Sequence, residues 1–131
     1  MGKFLGIDAS TQSMTAMVID AEKGEIELEE SVSFDDHFSA VYGVEHGVVD
    51  RGDGVVHSFP LMWAEALDLL FQALRADGFD FSSIHALAGS GQQHGTVYLN
   101  EKASRVLGRL DSGQPLVSQI ADIFFIESRF H

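Results

Sequence analysis

The sequence predicts an α/β fold, and three observations predict it. Its first quarter holds three apolar segments separated by short turns, two of them with clear two-residue alternation. A single long stripe of helical periodicity follows, and after it comes another short strand-like apolar segment. Strands in a meander, then a helix, then a further strand is the pattern of a sheet covered by helices.

Lys3 to Ile7 reads as a short buried strand. Ser13 to Ile19 reads as its neighbour, with Met14, Ala16 and Val18 on one face. Residues 20–24 form a turn in which Gly24 is free to take positive φ. Glu25 to Phe34 alternates again: Ile26, Leu28, Val32 and Phe34 share one side, interrupted by Glu30. Glu25, Glu27, Glu29, Ser31 and Ser33 take the other, which reads as a solvated face.

Residues 34–58 read as an irregular insertion over the sheet, rich in glycine and histidine, with Val48, Val49, Val55 and Val56 as strand pieces around an Asp53-Gly54 turn. The tripeptide Arg51-Gly52-Asp53 within it is read as chance, and the Asp35-Asp36 carboxylate pair has no supporting acid/base context. Ser58 to Gly78 is the long helix: Ser58 as N-cap, Pro60 in the first turn, Gly78 just past the end. Trp63, Ala66, Leu67, Leu70, Phe71 and Leu74 form its core stripe. Ile84 to Gly89 is a strand, Thr96-Val97-Tyr98-Leu99 another, and residues 100–131 a tail with a helix over Gln114 to Phe125.

Composition excludes several function classes. The 131 residues are 45% hydrophobic with two prolines, enough for one domain with a core. A formal net charge of −12 without any basic run argues against a nucleic-acid or anionic-membrane surface. It leaves phosphate binding open, because backbone N–H groups and a metal ion serve as well as basic side chains. There is no cysteine, hence no disulfide and no thiolate site. With no signal peptide and no apolar stretch of spanning length, the expected compartment is the cytoplasm.

Two stretches carry chemistry. In Leu5-Gly6-Ile7-Asp8-Ala9-Ser10-Thr11-Gln12, a carboxylate ends a buried strand and a hydroxyl-rich turn follows. From the residues alone two readings stand: an Asx turn in which Asp8 bonds the backbone just ahead, or a site where Asp8 anchors a hydrated Mg²⁺ and the turn faces a phosphate. In Gly89-Ser90-Gly91-Gln92-Gln93-His94-Gly95, the glycines let a backbone or ligand come close, and Gln92, Gln93 and His94 present donors and acceptors suited to sugar hydroxyls. The alternative is a glycine-rich hairpin with a solvated histidine. No dinucleotide fingerprint, Walker A sequence, nucleophile elbow or zinc motif is present.

Together the two stretches carry a resemblance. Phe4 to Asp20 resembles the first phosphate-binding hairpin of the FGGY carbohydrate kinases, in the actin-like ATPase superfamily. Leu87 to Leu99 is similar to the sugar-binding segment of that family's xylulokinase branch, nearest its eukaryotic type, and Pro60 to Leu74 resembles the helix between them. The resemblance covers about Phe4 to Phe124. It implies a ribonuclease-H-like module with a mixed sheet led by an antiparallel three-strand meander. It implies ATP and Mg²⁺ as cofactors and a ketopentose such as D-xylulose as substrate. By it, Asp8 positions Mg²⁺ with the phosphates, Ser10, Thr11 and Gln12 lie along them, and Gln93 and His94 contact the sugar.

The chain departs from that family in length. No counterpart of the downstream catalytic-base aspartate or of the adenosine-binding residues is found in it. The expectation is therefore an N-terminal part of the first kinase domain, incomplete, inactive in isolation, and prone to self-associate through a surface left open. The alternative expectation is a non-catalytic sugar-binding or interaction module from a truncated gene.

Overall fold

A computed structural model describes residues 2–125 and 128–130. Strands β1 (Lys3–Ala9), β2 (Ser13–Asp20) and β3 (Glu25–Ser33) form an antiparallel meander. Helix α1 (Phe34–Tyr42) follows directly, then a hairpin of β4 (Val49–Gly52) and β5 (Val55–Ser58). Helix α2 (Pro60–Ala76) and a 3₁₀ turn at Phe81–Ser83 lead into β6 (Ile84–Gly91), which pairs parallel to β1. The main sheet has the order β3-β2-β1-β6, the mixed sheet the resemblance implies. The last elements are β7 (Gly95–Thr96), α3 (Ala103–Leu107), α4 (Leu116–Ile120) and β8 (Ser128–Phe130), and a small second sheet runs β4-β5-β8-β7.

Alternation places the core. Register sets Leu5 beside Val18, Ile7 beside Ala16 and Met14 beside Val32, so one sheet face presents a continuous apolar surface. Helix α2 covers that surface with Met62, Ala66, Leu70 and Leu74, all fully buried. It ends in a Schellman motif: the Phe79 N–H donates to Leu74 O and the Gly78 N–H to Arg75 O, with Gly78 at φ 87°.

Four expectations are corrected. The supposed irregular insertion begins with a regular helix. Ser33 Oγ caps it by accepting from the Asp36 N–H, Gly43 ends it at φ 70°, and Phe34 and Phe38 are buried four residues apart. Phe34 is thus the first helical residue, not the last of the strand. The N-cap of α2 is Phe59, without a side-chain bond; the Ser58 hydroxyl instead donates to Gly47 O at 3.4 Å. Of Thr96-Val97-Tyr98-Leu99, only Thr96 lies in a strand, paired to β8 rather than to the main sheet; Leu99 makes a single bridge to Phe124. That pairing also shortens the tail helix. The Asn100 N–H donates to Ile123 O and the Phe125 N–H to Tyr98 O, so residues 123–125 leave the helix and α4 stops at Ile120. Ala103, Ile120 and Ile123 pack with Ala64 of α2 in a second small core.

Helices α1 and α2 are joined by the Tyr42 hydroxyl, which donates to Glu65 Oε2 at 2.6 Å. Partial burial, then this bond and the negative charge of Glu65, push the phenol above its ordinary pKa of about 10. A raised acid stabilises the fold fully below the unfolded-state pKa, and that contribution is lost as pH rises toward the folded-state value. Resistance to urea unfolding is therefore expected to fall above about pH 10. A Tyr42→Phe variant is expected to lose about 0.5–1 kcal/mol at neutral pH and to show a shallower alkaline decline.

Candidate functional site

Because β1 and β6 run parallel, their C-terminal ends meet at one edge of the sheet, where open α/β sheets place ligands. Register sets Asp8 beside Ser90 and Ala9 beside Gly91. The two stretches singled out in the sequence, eighty-two residues apart, are thereby brought together, and Ser90 Oγ donates to Asp8 Oδ1 at 2.5 Å.

They line one cleft of about 640 Å³. Asp8, Ala9, Ser10 and Thr11 form one side, and Gly91, Gln92, Gln93 and His94 another. Val48, Gly54 and Val56 complete it from the β4–β5 hairpin. Gln12 is outside this lining; its carbonyl accepts from the Phe34 N–H at 2.9 Å, tying the β1–β2 turn to the start of α1.

The local chemistry of the turn differs from an Asx turn. Asp8 bonds across the sheet, and Ser10 does the local work: its N–H and its hydroxyl both donate to Ser13 O, at 2.9 and 3.0 Å. Thr11 and Gln12 are exposed, and among the described residues their N–H groups make no hydrogen bond. They are free to meet an anion. The second stretch is not a hairpin, since β6 ends at Gly91 and β7 joins the other sheet.

Packing among the described residues does not require glycine at Gly91. A Cβ there would lie 3.9 Å from Ala9 O, an ordinary contact. At Gly89 the same holds, at 3.8 Å from Ile7 O.

Among the described residues no Lys or Arg lines the cleft, and no cluster of three or more His, Cys, Asp or Glu is built for a metal ion. A polyphosphate bound by these residues would be met by backbone N–H groups and a cation. One exposed carboxylate beside hydroxyls fits Mg²⁺, which keeps most of its waters and takes one or two carboxylates plus phosphate oxygens. The donor set suits that ion and no all-protein cage. Ser90 and the hairpin wall are the contributors that sequence reading missed: Ser90 required the register of β6, and Val48 and Val56 required the placement of the hairpin.

This cleft stands at the strand ends of a mixed sheet, where open α/β sheets place ligands. The chain is homologous to the N-terminal region of the FGGY-family xylulose kinases. It is 42% identical over 126 residues, 95% of its length, to "Xylulose kinase 2" of Arabidopsis thaliana, and 41% identical over 123 residues, 93% of its length, to the xylulose kinase of Mus musculus. It spans 22% of the length of each. The ligand-bound xylulose kinase from Lactobacillus acidophilus shares the fold, with a TM-score of 0.62 over 98% of this chain and 19% of that one at 16% identity. No protein-family model matches the chain. Among the described residues no helix is long and apolar enough to cross a membrane.

Proposed function

We propose that this chain forms the phosphate-and-sugar-binding part of an ATP-dependent ketopentose kinase of the cytoplasm, with D-xylulose as the substrate type. One observation carries the reading: Asp8 and Ser90, from separate motifs, are hydrogen-bonded at the head of a single cleft. The names of its relatives support the substrate.

In this reading Asp8 would hold Mg²⁺, which would supply charge neutralisation at the phosphates. The Ser90 hydroxyl fixes one Asp8 oxygen and leaves the other turned to the ligand. Ser10, Thr11 and Gln12 form the phosphate turn, with the N–H groups of Thr11 and Gln12 as donors. Gln93 and His94 bind sugar hydroxyls. Phosphoryl transfer asks the protein chiefly for positioning and charge stabilisation, and these residues supply both at one end of the cleft. Among the described residues Asp8 is the one carboxylate that lines the cleft, and none of them offers a second carboxylate there to accept the sugar hydroxyl's proton. The isolated chain is accordingly expected to bind without turnover.

Amide NMR tests this. Mg²⁺-ADP is expected to move signals of residues 8–12, and D-xylulose those of residues 92–95. Asp8→Asn is expected to remove the Mg²⁺-ADP response and to leave the D-xylulose response in place. Silence at both stretches with both ligands, or ATP-dependent phosphorylation of D-xylulose by the wild-type chain, would overturn the respective half of the reading.

A further inference from the structure

We infer that Asp35 is a positioning residue for the cleft: its carboxylate clamps the base of the β4–β5 hairpin against the β1–β2 turn and makes the hairpin the third wall of the site. The functional part of this inference rests on the cleft being the phosphate site.

Four elements converge on the clamp. Asp35, in the first turn of α1, accepts from the His46 N–H at Oδ2 (2.7 Å) and from the Gly47 N–H at Oδ1 (2.8 Å). Both loop residues have positive φ, 56° at His46 and 78° at Gly47. For histidine this backbone is unfavourable and persists only where surroundings impose it. Gly47 is buried, and a Cβ on it would stand 2.0 Å from the Thr11 carbonyl oxygen. Its bare backbone is therefore pressed directly on the turn, and no other residue type fits there. The Gly47 carbonyl in turn accepts from the buried Ser58 hydroxyl at the end of β5. The next residue, Val48, already lines the cleft, and Val56 and Gly54 line it from the other hairpin strand and its tip. Asp35 thus sets how far the apolar wall stands from the polar side of the cleft, Asp8 to Thr11. The neighbouring Asp36 takes no part; it is exposed, and its N–H is spent on the Ser33 cap.

The test compares Asp35→Ala, Asp35→Asn, Gly47→Ala and Asp36→Ala in the full chain, by amide NMR and Mg²⁺-ADP titration, with thermal unfolding to establish that each variant is folded. Asp35→Ala and Gly47→Ala are expected to shift the Thr11 and Gln12 amides, to leave those of the β2–β3 ladder in place, and to weaken Mg²⁺-ADP about tenfold. Asp35→Asn keeps one acceptor and is expected to fall between wild type and Asp35→Ala, the partial rescue a clamp requires. Asp36→Ala is expected to match wild type. If Gly47→Ala does not fold, the graded Asp35 pair decides. Unmoved Thr11 and Gln12 amides in Asp35→Ala would overturn the inference, as would moved amides with unchanged Mg²⁺-ADP affinity. A wild-type chain that ignores Mg²⁺-ADP would refute the phosphate reading and this inference's functional part, while the amide shifts would still decide whether Asp35 clamps the turn.

Discussion

Phe34→Ala is expected to cost about 3–5 kcal/mol of folding stability, read as a fall in the urea midpoint with little change in slope. Phe34 is fully buried and sits where three things meet. Its ring belongs to the main core with Val32, Phe38, Met62 and Leu70. Its backbone turns the chain from β3 into α1, and its N–H donates to Gln12 O. Truncation removes a large apolar side chain from a well-packed place and leaves a cavity that neighbouring elements on both sides of the junction keep from collapsing. Against a total stability of about 5–15 kcal/mol, such a loss is a substantial fraction. Phe34→Leu keeps most of the volume and is expected to cost less than about 1.5 kcal/mol. A small effect for the alanine variant would mean that the strand-to-helix junction is held by its backbone bonds and not by the core.

That junction also marks what was legible in the sequence. The meander was readable because one face is buried: Met14, Ala16 and Val18 alternate with partly exposed neighbours, and their burial follows the alternation residue by residue. Helix α2 was readable because its stripe is long. Helix α1 was not, because nine residues carry only two full turns of stripe and follow a strand without a break. Its signals were present in the cap at Ser33 and the glycine at Gly43, and the run of glycines beyond them hid both. At the site, the residues alone left both stretches open and the resemblance joined them; Asp8, Ser10, Thr11, Gln93 and His94 line one cleft, and Gln12 lies outside its lining. The Asp8–Ser90 bond was not readable, because parallel register is set by packing across an intervening helix and not by any turn. Asp35 was dismissed as half of an acid/base pair, since the partners that give it meaning are backbone N–H groups, which no sequence pattern displays.

The chain as it stands is expected to self-associate through β6, and Leu87→Lys to weaken that association at least about tenfold. The two edges of the main sheet differ in kind. The β3 edge carries Glu25, Glu27, Glu29 and Glu30, whose mutual repulsion blocks strand addition. Strand β6, Ile84 to Gly91, carries no Asp, Glu, Lys or Arg, and among the described residues it pairs on one side only, with β1. Coverage of the sheet face fails at the same boundary. Register sets Leu87 beside Leu5, yet Leu5 is 2% exposed and Leu87 57%. An uncharged open edge with an apolar side chain beside it is a template for pairing. The net charge of −12 opposes association at low ionic strength, so screening by salt strengthens it. Light scattering at rising protein concentration is expected to show mass above the monomer, more at 0.5 M than at about 0.05 M salt, and to return to the monomer with Leu87→Lys. A monomer at high concentration in both salts would mean that the glycines at 89 and 91 and the short exposed run of β6 are too weak an edge to pair.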